Sequence, residues 1–450
     1  MRRFEDGEIL SKSPDFKILE NDSQFYFVHT SGQKVQTDKL GQYIWSLLPR
    51  QIDNLVETVQ KEFDIDLHQI EKFIFIFCRA NLVTSSRDTQ EKDIPLSLSS
   101  EQVKVQISII VVTYNGENHI QDCFHSICRQ AGKNVEVIAV DNASQDNTVK
   151  ILQNTFPQVK VHSLKKNIHF AGAVNYGILH SQGQYIFILN QDIELNKNCL
   201  RKIYEKAEST KEAGAVVPMM KFFHLRGFIN GIGNHIRDFS WGSDNFIGCV
   251  DIGQFEDLFE VPSACFGAVL LKREAVDQIG LLDRKYTAFY EDTDWSFRCW
   301  LKGWTIVPST EAIVYHKFGA SYPGMRKLRL VVRNRMRLVL KIFQGRIRFR
   351  FLRKYMKEDF KNMFSLVKKR QFKNALAYTQ AYVSLFFSLP DISWKRHHLL
   401  GDKYLRERDV LDKNPDIFSC LNTDGQPVVD LNTFRVYYSR EFERIESQKN

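Results

Sequence analysis

Two acidic groups roughly a hundred residues apart could carry group-transfer chemistry. Asp192 follows the apolar run 185–189 in Asn190-Gln191-Asp192, and Glu291-Asp292 opens a segment in which Trp295, Phe297 and Leu301 recur at helical spacing. A carboxylate just past a buried strand can face a cleft and hold Mg2+ or Mn2+ through oxygen, as hard cations prefer. A carboxylate in the first turn of a helix is kept ionised by the helix dipole, so Asp292 could take a proton through placement alone, without a strongly raised pKa. Each motif by itself also reads more plainly, as a strand-end turn capped by Asn and Asp and as ordinary acidic enrichment at a helix start.

The surrounding pattern decides which reading is physical. From 106 to about 316 apolar strands alternate with helical segments: strand 106–113, helix 118–129, strand 135–140, helix 147–155, strand 159–162, helix 171–181, strand 185–189. That alternation predicts an α/β fold with a mostly parallel sheet and helices on both faces. Ligands of such sheets sit outside the carboxyl ends of the strands. Three strands end in polar residues, Thr113-Tyr114-Asn115, Asp141-Asn142 and Asn190-Gln191-Asp192, and together these describe a site.

The remaining chain divides by composition. Residues 1–83 read as a small α+β, winged-helix-like unit, with strands 16–19 and 24–28 around Asn21-Asp22-Ser23 and a third at 34–37. A helix follows with Ile52, Leu55, Val56, Val59 and Phe63 on one face. The capping box Asp66-Leu67-His68-Gln69 then opens another, carrying Ile70, Phe73, Ile74 and Phe77. Residues 84–103 form a polar linker, 104–322 the catalytic region, 323–408 a basic helical region and 409–450 a C-terminal tail without pattern.

Of the 450 residues 43% are hydrophobic and 12% aromatic, which supports two or three cores and excludes a disordered chain. The eight cysteines show no C-x-x-C pair and no zinc spacing, so a reducing compartment is expected. Acids at Glu5 and Asp6 argue against a secretion signal. Apolar runs such as 107–112 fall far short of the roughly 20 residues of a membrane span. A cytoplasmic protein is expected. The net charge of +9 arises from 326–357, which holds thirteen Lys or Arg and no acid. Residues 1–92 carry twelve basic and fifteen acidic residues, which argues against a nucleic-acid partner.

The ordered motifs of the middle region resemble family 2 glycosyltransferases of the rhamnosyltransferase-like type, over about 107–341. They run Val111-Val112-Thr113-Tyr114-Asn115-Gly116, Val140-Asp141-Asn142-Ala143-Ser144, Asn167-Ile168-His169-Phe170-Ala171-Gly172-Ala173-Val174-Asn175, Leu189-Asn190-Gln191-Asp192, Gly267-Ala268-Val269-Leu270-Leu271-Lys272-Arg273, Tyr290-Glu291-Asp292-Thr293-Asp294-Trp295 and Tyr315-His316. The resemblance implies the GT-A fold and an inverting transfer from a nucleotide-diphosphate sugar, with Asp292 as base beside Glu291. It implies donor contacts from Thr113, Tyr114, Asn115, Asp141, Asn142, Asn167, Ala171, Gly172, Asn175, Asn190 and Gln191. Asn142 stands where many relatives have Asp, which leaves UDP- and dTDP-linked donors both open. Asn190 replaces the first acid of the D-x-D motif, so Asp192 is the main Mg2+ or Mn2+ ligand, with His316 a further one. A lone His near a strand end is equally well a satisfied polar residue. His169 takes a position where relatives usually have Gly. Asp294, Trp295 and Trp241 are assigned to the acceptor, Trp241 within the Gly-, Asn- and aromatic-rich excursion 220–262.

Residues 13–83 resemble, more faintly, the PqqD-like peptide-recognition domain, through the hairpin opening and Leu40-Gly41-Gln42-Tyr43-Ile44-Trp45. That likeness implies a peptide acceptor bound along a sheet edge; a plain docking domain is the alternative. The basic residues of 326–357 alternate with Leu328, Leu330, Val331, Val332, Leu338, Val339, Leu340, Ile342 and Phe343. This suits either a helix lying on an anionic membrane or one packed on the catalytic region. The acceptor is thus a peptide, or a lipid-linked or cell-surface glycan. A non-catalytic peptide-binding protein is the reading of another class, and the intact Asp192 and Asp292 count against it.

Overall fold

The computed structural model describes residues 106–234, 244–251, 253–317 and 324–400, and parts of 9–85. The capping box at 66–69, most of the linker, Trp241 and residues 401–450 lie outside the described residues.

In the N-terminal unit the expected hairpin forms, with β2 (Phe16–Asn21), β3 (Gln24–His29) and β4 (Lys34–Thr37) antiparallel in that order. A second small sheet joins β1 (Ile9–Lys12) to β5 (Arg50–Gln51) and β6 (Val83–Ser85). Strands this short leave no alternation to read. The helices α1 (Lys39–Leu47) and α2 (Ile52–Glu62) bury Ile44, Trp45, Leu55 and Val59 against Phe27. That core does not close on itself: it continues into Phe222, Leu225, Phe228 and Val250 of the central region.

The central sheet has nine strands. β7 (Ile107–Thr113), β8 (Val135–Asp141), β9 (Lys160–Ser163) and β10 (Tyr185–Asn190) pair in parallel, in the order β10-β7-β8-β9. Beyond β10 the sheet is mixed. β14 (Ala268–Lys272) runs antiparallel to β10 and to β12 (Ala213–Phe222), β15 (Thr305–His316) is parallel to β12, and β11 (Ile193–Leu195) and β13 (Ile229–Gly231) are antiparallel edges. The mostly parallel expectation therefore holds only for the first half. β14 is reached through the 223–267 excursion, which shows no crossover helix among its described residues, so nothing there forces it into a parallel entry.

Both faces of the parallel half are covered, which is why its strands read as unbroken apolar runs. Ile110, Val112, Ile138, Val140, Ile186 and Ile188 point to one core, shared with α5 (His169–Leu179), α7 (Arg273–Ile279) and α8 (Glu291–Leu301). Alternate residues such as Ile109, Val111, Ala139 and Phe187 point to the other, with α3 (Ile120–Cys128), α4 (Thr148–Thr155) and α6 (Cys199–Ser209).

Three C-terminal helices follow: α9 (Gly324–Ile342), α10 (Gly345–Lys368) and α11 (Phe372–Leu400). α9 is not a free membrane-surface helix. Leu330, Val331, Leu338, Val339 and Ile342 are buried, and so are several of its basic residues. Arg337 and Lys341 reach Asp283 at 2.9 and 3.1 Å, and Lys341 also reaches Asp294 of α8 at 2.7 Å. The dense positive charge here neutralises buried acids of the catalytic region, the packed alternative for this segment. Lys341→Ala leaves Asp283 and Asp294 short of a buried partner, so it should destabilise the fold by about 3–5 kcal/mol, measured by urea unfolding.

Candidate active site

Strand register gathers the polar strand ends. Thr113 pairs with Asp141 across β7 and β8, and Asn190 lies beside Val112. Thr113 Oγ1 donates to Asp141 Oδ1 at 3.0 Å, and Asp141 also accepts from the Ser144 backbone N–H at 3.0 Å and from its hydroxyl. Asn115, at φ 47°, receives the Gln145 N–H on its side-chain oxygen and donates its own N–H to Ser144 Oγ. Gln191 spans the gap between strand ends: its Oε1 accepts from Tyr114 N–H at 2.8 Å and its Nε2 donates to Tyr114 O at 3.1 Å. A Cβ on Gly116 would stand 2.2 Å from Gln191 Oε1, so a side chain there would displace Gln191 from Tyr114. Tyr114, 45% exposed, is the apolar surface this rim offers to a planar ligand.

The loop into α5 is built around His169. Its φ of 63° is in the left-handed region that glycine enters freely, the local reason a Gly suits this position. Asn167 Oδ1 accepts the His169 N–H, and Asn142 Oδ1 accepts the Ile168 N–H, both at 2.8 Å. Asn142 thus spends its carbonyl on the loop. Ala171 and Gly172 are buried, Ala171 in the core under α5. Asn175 is a clamp: its amide donates to Leu282 O at 2.8 Å and accepts from Leu282 N–H at 3.0 Å. With both ends of that amide engaged in the interior, a donor contact from Asn175 is not what the structure provides.

The acidic pair heads α8. The preceding Phe289 and Tyr290 both have positive φ, 66° and 70°, and Asn334 of α9 holds that turn by donating to Ala288 O and Phe289 O. Asp292 accepts from Thr293 N–H on Oδ1 at 2.6 Å and from Asn234 Nδ2 on Oδ2 at 3.0 Å. Glu291 Oε2 is buried without a hydrogen-bond partner. Burial, then the charge of Asp292, pushes Glu291 up to about 8. Asp292 is raised as well, by burial, against the opposing hydrogen bonds from Thr293 and Asn234. The helix start alone does not set its proton affinity: desolvation outweighs it. Adjacent and desolvated, the two carboxyls each raise the cost of ionising the other.

Asp294 and Trp295 face inward. Asp294 is fully buried, bound to Arg298 at 3.0 Å and to Lys341, and Trp295 is buried with its indole N–H on Gly280 O at 3.0 Å. They hold α8 in place and do not offer an acceptor surface, a correction to the expectation.

Asp192 and His316 meet at the ends of β10 and β15, His316 Nε2 lying 3.3 Å from Asp192 Oδ2. Burial works to raise Asp192, but the charge and hydrogen bond of His316 outweigh it and hold the carboxyl below its ordinary range. Asn230 Nδ2 donates to Asp244 Oδ2 at 3.3 Å, which turns its oxygen toward His316 Nδ1 at 2.7 Å. In neutral His316 that bond places the proton on Nδ1 and points the Nε2 lone pair at Asp192. An imidazole nitrogen and a carboxylate oxygen converging in this way fit a divalent cation, with Asn230 as the outer support such ligands usually have. Among the described residues no cluster of three His, Cys, Asp or Glu ligands forms.

Residues 108–280 match the model described as glycosyl transferase family 2. The chain carries a family 2 glycosyltransferase domain. Its mixed, helix-covered sheet is the GT-A fold. Glu291, Asp292 and His316 lie beyond the matched residues. Among curated relatives, N-acetylglucosaminyl-diphospho-decaprenol L-rhamnosyltransferase of Mycobacterium tuberculosis is 22% identical over 234 residues, covering 47% of this chain and 76% of that one. Glycosyltransferase GlyG of Streptococcus pneumoniae is 31% identical over 114 residues, covering 25% and 38%. The chain spans less than half the length of the curated relatives it matches at 31–33% identity. A crystal structure of GalNAc-T7 with UDP, GalNAc and Mn2+ superposes with a TM-score of 0.46 at 14% identity, over 70% of this chain and 63% of that one.

Asn230, Asn234 and Asp244 of the candidate site were missed at the level of single residues. Their signal was the cluster Asn230-Gly231-Ile232-Gly233-Asn234 in the excursion assigned to the acceptor. Burial pushes Asp244 up to about 7, with His316 opposing and Asp292 reinforcing the shift.

A carboxyl raised on folding contributes stability that is complete below its unfolded value and is lost as pH rises through its folded value. Glu291 should therefore cost the protein stability between about 4.5 and about 8. Glu291→Gln is expected to flatten that decline, seen as a smaller difference in Tm between pH 5 and pH 9 than in the native protein.

Proposed function

We propose that this protein is an inverting glycosyltransferase that moves a sugar from a nucleotide-diphosphate donor to an acceptor hydroxyl, with Asp292 as the base. The observation that carries this is the desolvated pair of carboxyl groups at the head of α8, with Asp292 held by Asn234 and Thr293. Burial raises the proton affinity of both, Glu291 to about 8, which moves Asp292 toward the affinity a base needs. Asp292 takes the proton of the acceptor hydroxyl as that oxygen bonds to the anomeric carbon. The bond from that carbon to the diphosphate oxygen breaks on the opposite face, and the configuration inverts. Asn234 holds the carboxylate in position.

Thr113, Tyr114, Asn115, Asp141, Asn142, Asn167, Asn190 and Gln191 form the donor side. Because Asn142 is committed to Ile168 through its oxygen, this position does not by itself select between a UDP- and a dTDP-linked sugar. Mg2+ or Mn2+ held by Asp192 and His316 would offset charge developing on the leaving diphosphate.

For the acceptor, a lipid-linked or cell-surface glycan is favoured. A relative named for a diphospho-decaprenol acceptor aligns across 76% of its length, and the C-terminal helices expose aromatic side chains beside basic ones. Work at the cytoplasmic face of a membrane follows from this reading. A peptide acceptor bound by a PqqD-like unit is the second reading, favoured by the three-stranded sheet β2-β3-β4. Trp241 retains its proposed acceptor role only as part of the excursion.

Asp292→Asn is expected to lower kcat by about 10²–10⁴-fold while donor affinity by calorimetry stays within threefold; full turnover would remove Asp292 as base. Asp192→Ala should abolish the Mn2+-dependent part of donor binding, with its metal-independent part retained. Removal of the N-terminal unit would strip cover from Phe222 and Phe228, so the acceptor readings are better separated in the full chain. Donor turnover should rise at least tenfold with a polyprenyl-diphosphate glycan and not with peptides, the reverse result favouring the peptide reading.

A further inference from the structure

Exposed aromatic residues concentrate on two helices that the catalytic site does not use. On α10, Phe349, Met356, Phe360, Phe364 and Val367 are exposed, and their spacing of 7, 4, 4 and 3 keeps them on one stripe of a 3.6-residue helix. On α11, Phe372, Leu376, Val383, Phe386 and Phe387 form a second exposed stripe, Phe386 at 67% and Phe387 at 77%. The opposite side of α11 is apolar too: Ala377, Tyr378, Ala381 and Leu385 are buried, the first three packing with Leu328 and Val332 of α9. A helix apolar on both sides is not finished by packing on its own domain.

The chemistry beside the stripes says what covers them. Arg346, Arg350, Arg353, Lys357, Lys361 and Lys368 are exposed on α10, flanking its stripe, and Lys369, Arg370 and Lys373 continue the charge into the start of α11. The two acids of α10 do not offset it. Asp359 is buried against Arg335 and the hydroxyl of Tyr382, and Glu358 is half-buried. Phenylalanines ringed by exposed cations match the boundary of an anionic bilayer, where rings enter the acyl edge and cations meet headgroup phosphates. A second copy of the same basic face would bring like charges together. No helix among the described residues is long and apolar enough to cross a membrane, so the contact is with a surface.

We propose that the outward face of α10 and α11 docks this protein on an anionic lipid bilayer. Of the segment 326–357, which the sequence put forward for this role, the part up to Ile342 is packed inside as α9, and the docking face begins on the remainder in α10 and continues along α11. The proposal rests on the lipid-linked acceptor reading for its purpose but is measured without sugar transfer, so either can fail alone. Full-length protein would be sedimented with vesicles of phosphatidylcholine, with and without 30% phosphatidylglycerol as ~30 mol% anionic lipid. The expected result is at least tenfold stronger partition onto anionic vesicles. Phe360→Ser with Phe364→Ser and Phe387→Ser should reduce it at least tenfold, and Arg353→Glu with Lys357→Glu should abolish the preference for anionic lipid. Both variants sit at exposed positions and should keep native Tm and donor turnover in solution. Equal partition onto neutral and anionic vesicles would overturn the proposal. So would native vesicle binding by the serine variant, or a dimer in light scattering that the serine variant dissociates while vesicle binding is absent from both proteins.

Discussion

Asp294 is a carboxylate with no exposed surface, and the placement of the acidic pair depends on what neutralises it. A lone ionised carboxylate at that depth would cost several kcal/mol. Arg298, one turn along the same helix, and Lys341 from α9 close on it together, and Lys341 also binds Asp283. This fastens α8 to the C-terminal helices at one point. Asn334, two turns before Lys341 on α9, holds the turn that introduces Glu291. A helix whose residues look like a charged surface element is therefore the brace of the acidic pair.

The same economy of charge shapes the site itself. Glu291 and Asp292 are adjacent and desolvated, and both are raised above the ordinary carboxyl range. At the ends of β10 and β15 His316 holds the Asp192 carboxyl below its ordinary range, and Asn230 fixes which nitrogen of that ring faces it. Asn230, Asn234 and Asp244 belong to a segment whose flanks, Phe222, Phe228 and Val250, are in one core with the N-terminal unit. The N-terminal unit therefore bears directly on the segment that supports both Asp292 and His316, and it is not a module appended at a distance.

How much was legible in the sequence varied with the range of the forces involved. Thr113, Asp141, Gln191, Asp192 and Asp292 stand at ends of elements whose apolar periodicity is local, and their grouping follows once the parallel strands are aligned in register. His169 shows the same locality, since a backbone angle can be inferred from the residue type that usually occupies it. Asn175, Asp294 and Trp295 carried motif identity but no information about direction. Their partners, Leu282, Lys341 and Gly280, lie 107, 47 and 15 residues away, and only packing shows that they point inward.

The sequence by itself determined the α/β alternation, the carboxylates at the element ends and the family of the central domain, because these rest on short-range periodicity and on motif order. The tertiary structure decided the mixed second half of the sheet, the desolvation of Glu291 and Asp292, and which basic helix is buried and which is exposed. A helical pattern shows that residues share a face, but whether that face meets water, lipid or another helix depends on contacts between segments distant in the chain. α9 and α10 are both basic and both amphipathic, but the basic residues of α9 meet buried acids at Asp283, Asp294 and Asp359.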